Sequence, residues 1–132
     1  MITGIGVDTV DIARFERQLE RTPALRERLF CAAERELSTA SLAARFAAKE
    51  ALVKALGGSG ELGWQDIEVV RDEYRAPGFA RTPRLVAALD ARGGAAAHLS
   101  MTHDAGVATA FVVIDSLGRQ GDGTHTDRSS HD

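Results

Sequence analysis

The stretch SLAARFAAKEALVKALGGSG, Ser41 to Gly60, constrains this chain more than any other. Its small and apolar residues recur with a helical period. At about 100° per residue, Ala44, Ala47, Ala48, Ala51, Leu52 and Ala55 share one side. A side made of alanine has little bulk, so it predicts a neighbour packed at very close range. Phe46, Glu50 and Lys54 fall four apart on the opposite flank, with Lys49 to one side. Gly57-Gly58-Ser59-Gly60 then ends the helix with residues that tolerate left-handed backbone. A helix made for packing thus carries a carboxylate between two ammonium groups.

Around it the chain alternates between strand and helix patterns. ITGIGVD, Ile2 to Asp8, reads as a strand whose glycines, Gly4 and Gly6, leave one face without side chains. A helical pattern starts near Val10 and carries Ile12, Phe15 and Leu19 on its apolar side. Thr22 as cap and Pro23 in the first turn predict a second short helix with Leu25 and Leu29, and CAAERELST adds a further turn or two. WQDIEVVRDE alternates Ile67 and Val69 against Asp66 and Glu68, as a strand does. YRAPGFARTP is turn-rich, PRLVAALDARGG helical, AAHLSMTHDAG a strand entering a turn, and VATAFVVID a last strand. This order predicts an α+β domain, a small mixed or antiparallel sheet with one long packed helix, over residues 1–115. Residues 116–132 are polar, Gly-rich and without apolar period, and are expected to be a disordered tail.

Composition narrows the function classes. With 132 residues, 44% hydrophobic and 27% charged, one globular domain is expected. A net charge of -3 argues against non-specific nucleic-acid binding, which needs a basic surface. The start, MITGIGVD, has neither a basic flank nor a long apolar run, so neither a signal peptide nor a membrane span is expected. The single cysteine, Cys31, suits a reducing cytoplasm and reads as a small core or boundary residue.

Residue types alone leave the chemistry open. Glu50 and Lys54 fit a solvated i,i+4 ion pair as well as a site. Asp8 fits a helix cap as well as a metal ligand. Read functionally, Asp8 and Glu50 supply the hard oxygen donors that Mg²⁺ takes alongside water and phosphate oxygens, and the lysines face a diphosphate. His103 lies at a strand end, and His98, five residues earlier, points to the other face, which weakens any paired-histidine metal site. The GIG of the first strand is too short for a nucleotide fingerprint.

Three segments together, GIGVDTVDIARF, SLAARFAAKEALVKALG and HLSMTHDAGVATAFVV, resemble the holo-[acyl-carrier-protein] synthase family of small 4'-phosphopantetheinyl transferases. The resemblance runs from about Ile2 to Ile114, and RFAAKEALVKALG is its most specific part. It implies transfer of phosphopantetheine from coenzyme A to a serine of an apo acyl carrier protein, with Mg²⁺, releasing adenosine 3',5'-bisphosphate. By it Asp8 and Glu50 match the metal ligands. Glu50 and Lys54 match catalytic positions, and Lys49, Lys54, Gly57, His103 and Pro77 match coenzyme A positions. Arg14 matches a residue facing the carrier protein. A homotrimer with sites between subunits is also implied, Asp8 coming from one chain and Glu50 from its neighbour. Arg75-Ala76-Pro77 stands where the family often has Gly-x-Pro, which bears on the loop's contacts to coenzyme A, as does the unusual GFARTPR beside it. A carrier-binding module without activity and a plain structural oligomer are the competing readings; neither has a need for Asp8, Glu50 and Lys54 together.

Overall fold

The computed structural model describes residues 1–116. The chain begins with β1 (Ile2–Asp11), followed by α1 (Ile12–Arg21), α2 (Ala24–Leu29) and a 3-10 turn at Ala32–Glu34. The long α3 (Thr39–Leu56) comes next, then a 3-10 turn at Trp64–Asp66, the short strands β2 (Val69–Arg71) and β3 (Pro77–Phe79), and α4 (Pro83–Ala91). A hairpin of β4 (Ala96–Asp104) and β5 (Val107–Asp115) ends the described chain. The main sheet has the order β1-β5-β4 with both pairs antiparallel, and β2-β3 form a separate antiparallel ribbon. The expected α+β class holds, with an antiparallel rather than a mixed sheet.

Alternation along β5 decides which way the sheet faces. Ala108, Ala110, Val112 and Ile114 point inward and are buried, while Val107 and Phe111 remain exposed. α3 lies across that inner face. Gly4 and Gly6 of β1 meet it directly: a Cβ on Gly6 would fall within 3.0 Å of Ala51 O, Ala51 C and Ala55 N, and one on Gly4 would strike Ala55 O. The GIG run therefore serves close strand–helix contact. The alanine side works as expected, but burial extends further round α3, taking in Leu42, Ala43, Lys49 and Leu56.

Both ends of α3 are fixed locally. Ser38 accepts a hydrogen bond from Ser41 N at 3.2 Å, a cap worth about 1 kcal/mol. Gly57 follows with φ +82°, and the N–H groups of Gly57 and Gly58 return to Lys54 O and Val53 O. One core joins α3, α4 and the sheet through Leu52, Leu56, Ile67, Leu85, Leu89 and Val112. A second lies between α1, α2 and the first half of α3, with Phe15, Leu19, Leu29, Phe30 and Leu42.

Several expected boundaries move. Val10 and Asp11 continue β1, pairing with Ala108 and Val107, so α1 starts two residues later than the periodicity suggests. Asp11, not Asp8, caps it, accepting from Arg14 N at 2.8 Å. Thr22 ends α1, while Pro23 stands at the N-cap position of α2 without a capping side chain. The WQDIEVVRDE strand shrinks to Val69–Arg71, because Asp66 Oδ2 takes Gly63 N and winds the preceding residues into a turn. Part of the turn-rich YRAPGFARTP is β3. The expected disordered tail lies, beyond Ser116, outside the described residues. No helix among the described residues is long and apolar enough to cross a membrane.

Candidate active site

β1 and α3 pack so closely that side chains at their shared edge must meet. Asp8 leaves β1 there, and its Oδ1 accepts a hydrogen bond from Lys54 Nζ at 3.0 Å. The same ammonium donates to Val7 O at 3.1 Å and stays about half exposed. Glu50, one helical turn before Lys54, lines the same cleft as Asp8, a space of about 310 Å³ floored by Phe15 and Phe46. The Glu50 carboxyl is raised above the ordinary glutamate value, first by burial and then by the negative charge of Asp8, with Lys54 opposing. Two carboxylates and one ammonium therefore converge within a single protomer. The expectation that Asp8 and Glu50 would come from different chains is corrected: the close α3–β1 packing brings them together in one.

The donor set suits a hard cation. Both carboxylates offer oxygen only, and burial together with the charge of Asp8 makes the ionised Glu50 costly unless a cation joins it there. Among the described residues no group of three or more His, Cys, Asp or Glu side chains is placed to hold a metal. Two carboxylates without a third protein ligand match Mg²⁺, which keeps waters and takes phosphate oxygens from a substrate.

Lys49 is placed elsewhere. It is fully buried, with Nζ 2.7 Å from Glu34 Oε1, 2.8 Å from Leu29 O and 3.4 Å from Trp64 O, over the Phe30 ring. The expected role beside coenzyme A phosphates is corrected, because this ammonium is sealed in the core by a carboxylate and two carbonyls. Glu34 is the partner that sequence reading missed. It is nearly as buried, and it also accepts from Cys31 N at 3.0 Å and Val69 N at 3.1 Å. A lysine fifteen residues along from a glutamate gives no periodic signal. Cys31 is half-buried, and its thiol is pushed up, chiefly by burial.

Of the remaining expected residues one lies with Asp8 and Glu50 and three lie elsewhere. Arg14 joins the Asp8 and Glu50 cleft. Gly57 lines a separate cavity of about 510 Å³ between the end of α3 and α4. His103 lines a third cleft, of about 330 Å³, with Arg45, Arg71 and Arg75. Pro77 pairs with Arg71 across the small ribbon, and lines none of these three clefts. Sequence reading also missed a groove of about 480 Å³ that shares Phe15, Gln18 and Phe46 with the Asp8 and Glu50 cleft. Phe46 stacks on Phe15 at 5.3 Å and tilts against Trp64 at 5.5 Å, and Arg21 and Arg28 rim this groove. Phe46 lay in view as the residue one turn before Glu50, but Trp64 is distant in sequence.

The sequence profile of the 4'-phosphopantetheinyl transferase superfamily matches residues 4–111, and the chain belongs to that superfamily. A holo-[acyl-carrier-protein] synthase of Clavibacter sepedonicus is 61% identical over 118 residues, covering 89% of this chain and 99% of its own. One from Leifsonia xyli is 61% identical over 115 residues, covering 87% and 98%. The crystal structure of the Neisseria meningitidis holo-[acyl-carrier-protein] synthase superposes with a TM-score of 0.80 at 32% identity, covering 87% of this chain and 99% of that one. The Helicobacter pylori enzyme, in complex with coenzyme A, gives 0.74 at 33%, covering 84% and 99%. Within the superfamily, this chain is a member of the holo-[acyl-carrier-protein] synthase family.

Proposed function

We infer that this chain transfers 4'-phosphopantetheine from coenzyme A to a serine hydroxyl of an apo acyl carrier protein. The observation that carries the reading is the meeting of the Asp8 and Glu50 carboxyls in one cleft, with the Lys54 ammonium hydrogen-bonded to Asp8 at its edge. In the transfer a serine Oγ–phosphorus bond forms, the phosphorus–oxygen bond of the diphosphate breaks, and adenosine 3',5'-bisphosphate leaves. Such a reaction needs positioning and charge neutralisation more than an enzyme nucleophile. Asp8 and Glu50 would hold Mg²⁺, which supplies neutralisation of diphosphate oxygens and polarisation of the phosphorus. Lys54 offsets charge growing on the departing oxygen. The serine proton must leave as the new bond forms, and among the carboxylates lining the cleft we assign its uptake to Glu50, whose affinity for a proton is raised by burial and by Asp8.

Arg14, with Arg21 and Arg28 along the adjoining groove, suits an acidic carrier surface. A homotrimer is supported by the outward sheet face, where Ile5, Val7 and Phe111 are 57%, 51% and 44% exposed. It is supported too by the separation of the His103 cleft from the Asp8 and Glu50 cleft, which share no lining residue. One coenzyme then reaches His103 on a neighbouring protomer, while Gly57 and Pro77 border the nucleotide end. The work belongs to the cytoplasm, where coenzyme A and carrier proteins meet.

The test is a mass measurement on apo carrier protein after incubation with coenzyme A and Mg²⁺. The phosphopantetheine mass is expected on the carrier, lost on chelation and lost with Glu50→Gln. Absence of added mass across fatty-acid, polyketide and peptide-synthetase carriers overturns the reading. Shared sites have their own test. Glu50→Gln and His103→Ala chains, each inactive alone, recover about a quarter of the sites on random 1:1 mixing, since an intact site draws one good residue from each neighbour. No recovery after confirmed subunit exchange refutes the interfacial arrangement.

A further inference from the structure

The turn between β2 and β3 holds an arginine where the backbone favours glycine. Arg75 has φ +67°, in the left-handed region that a Cβ disfavours. The turn is fixed from Asp72, whose Oδ1 accepts from Tyr74 N at 2.8 Å and Ala76 N at 2.9 Å. Asp72 O accepts from Arg75 N at 2.9 Å, and Arg71 Nη1 donates to Arg75 O at 2.7 Å. None of these bonds uses the Arg75 guanidinium, so glycine would satisfy the turn equally well. Backbone strain retained at one exposed residue points to the side chain as the reason.

That side chain lines the cleft of Arg45, Arg71 and His103. Ser41 and Thr102 add hydroxyl groups, and no carboxylate lines the space. Arg45 is steadied from behind by Glu34, 3.5 Å away, and by Val69 O. Three guanidinium groups, an imidazole and two hydroxyls form a concave, polar, cationic surface. Its chemistry suits a phosphate monoester dianion, which carries more charge and more free oxygens than a diester. Coenzyme A carries one such group, on the ribose 3' oxygen.

Resting on the transferase reading, we propose that Arg75 is a specificity-determining residue that binds the 3'-phosphate of coenzyme A and selects it over the dephosphorylated donor. The decisive variant is Arg75→Gly, which removes the charge while relieving the turn. Its melting temperature is expected at or slightly above that of the parent chain. KM for coenzyme A rises about tenfold, as for loss of one charge-assisted hydrogen bond, while kcat changes less than about twofold. KM for dephospho-coenzyme A stays unchanged. Calorimetric binding of adenosine 3',5'-bisphosphate weakens by the same factor, and binding of adenosine 5'-phosphate does not change.

An unchanged ratio of the two donors' KM values in Arg75→Gly overturns the assignment. So does inorganic phosphate raising the KM of coenzyme A no more than that of dephospho-coenzyme A, since an ion held in this cleft should displace only the donor that carries the 3'-phosphate. If the parent chain transfers from neither donor, the transferase reading falls. The calorimetric comparison of the two nucleotides still decides the role of Arg75.

Discussion

Gly6→Ala adds one methyl group at the point where β1 and α3 touch. That methyl would sit within 3.0 Å of Ala51 O, Ala51 C and Ala55 N, closer than real Cβ atoms come. These are backbone atoms, so no rotamer change makes room, and Ala51→Gly offers no relief. The strand or the helix must retreat by about 1 Å, and overpacking of this kind costs roughly 1–3 kcal/mol, here towards the upper end. For a domain of this size that lowers Tm by roughly 10 °C. The same displacement acts on Asp8, two residues along β1, and on Glu50, adjacent to Ala51. Misplacement of reacting groups by about 1 Å costs roughly 100-fold in rate. Circular dichroism gives the melting temperature, and the carrier mass-shift assay, run well below it, gives the rate. A variant that melts within about 2 °C of the parent and transfers at the parent rate would refute the argument that this contact sets the site.

Glu50 makes stability depend on pH in a definite direction. Its carboxyl binds a proton more tightly folded than unfolded, owing to burial and then Asp8, so its contribution is present below the ordinary value of 4.5 and lost as pH rises through the folded value. In metal-free buffer, Glu50→Gln should therefore gain stability relative to the parent as pH climbs from about 4 to 7, read from urea midpoints; parallel profiles would count against it. Adding Mg²⁺ at pH 7 should raise the parent's midpoint and leave that of Glu50→Gln unmoved. Lys49→Met takes from Glu34 its nearest cation and leaves it Arg45 at 3.5 Å, so it should cost less than the roughly 3–5 kcal/mol of a fully unpaired buried charge, and the Glu34→Gln/Lys49→Met double variant should lose less still. Equal losses would mean the pair is not coupled. Arg14→Glu should weaken carrier binding, measured by calorimetry, and spare coenzyme A binding, whereas equal loss of both would remove Arg14 from the carrier surface.

Long periodic elements were legible from the sequence because their patterns are dense. α3, α4 and the β4–β5 hairpin lie where alternation or helical spacing puts them. The start of α1 was not, because Val10 and Asp11 suit either state and only their pairing with β5 decides. Asp8, Glu50 and Lys54 come together in the structure, and here spacing helped, since Glu50 and Lys54 share a flank with Phe46. Lys49 shows the limit of that reasoning. A helical wheel gives an angle but not what lies at it, and the Glu34 carboxylate arrives from another segment. Arg75 was visible as a departure from a glycine pattern, yet its positive φ and its arginine neighbours belong to the three-dimensional turn.

Of the sixteen lysine and arginine side chains in this protein, only Lys49 and Lys54 are lysines. One is sealed from solvent and the other stands half open beside Asp8. The terminal amine aside, an acylating reagent thus meets two primary amines of opposite accessibility. Rapid labelling at Lys54 would report occupancy of the cleft, and labelling at Lys49 only the opening of the core. Fragment ions of one peptide, Phe46 to Arg71, would read both.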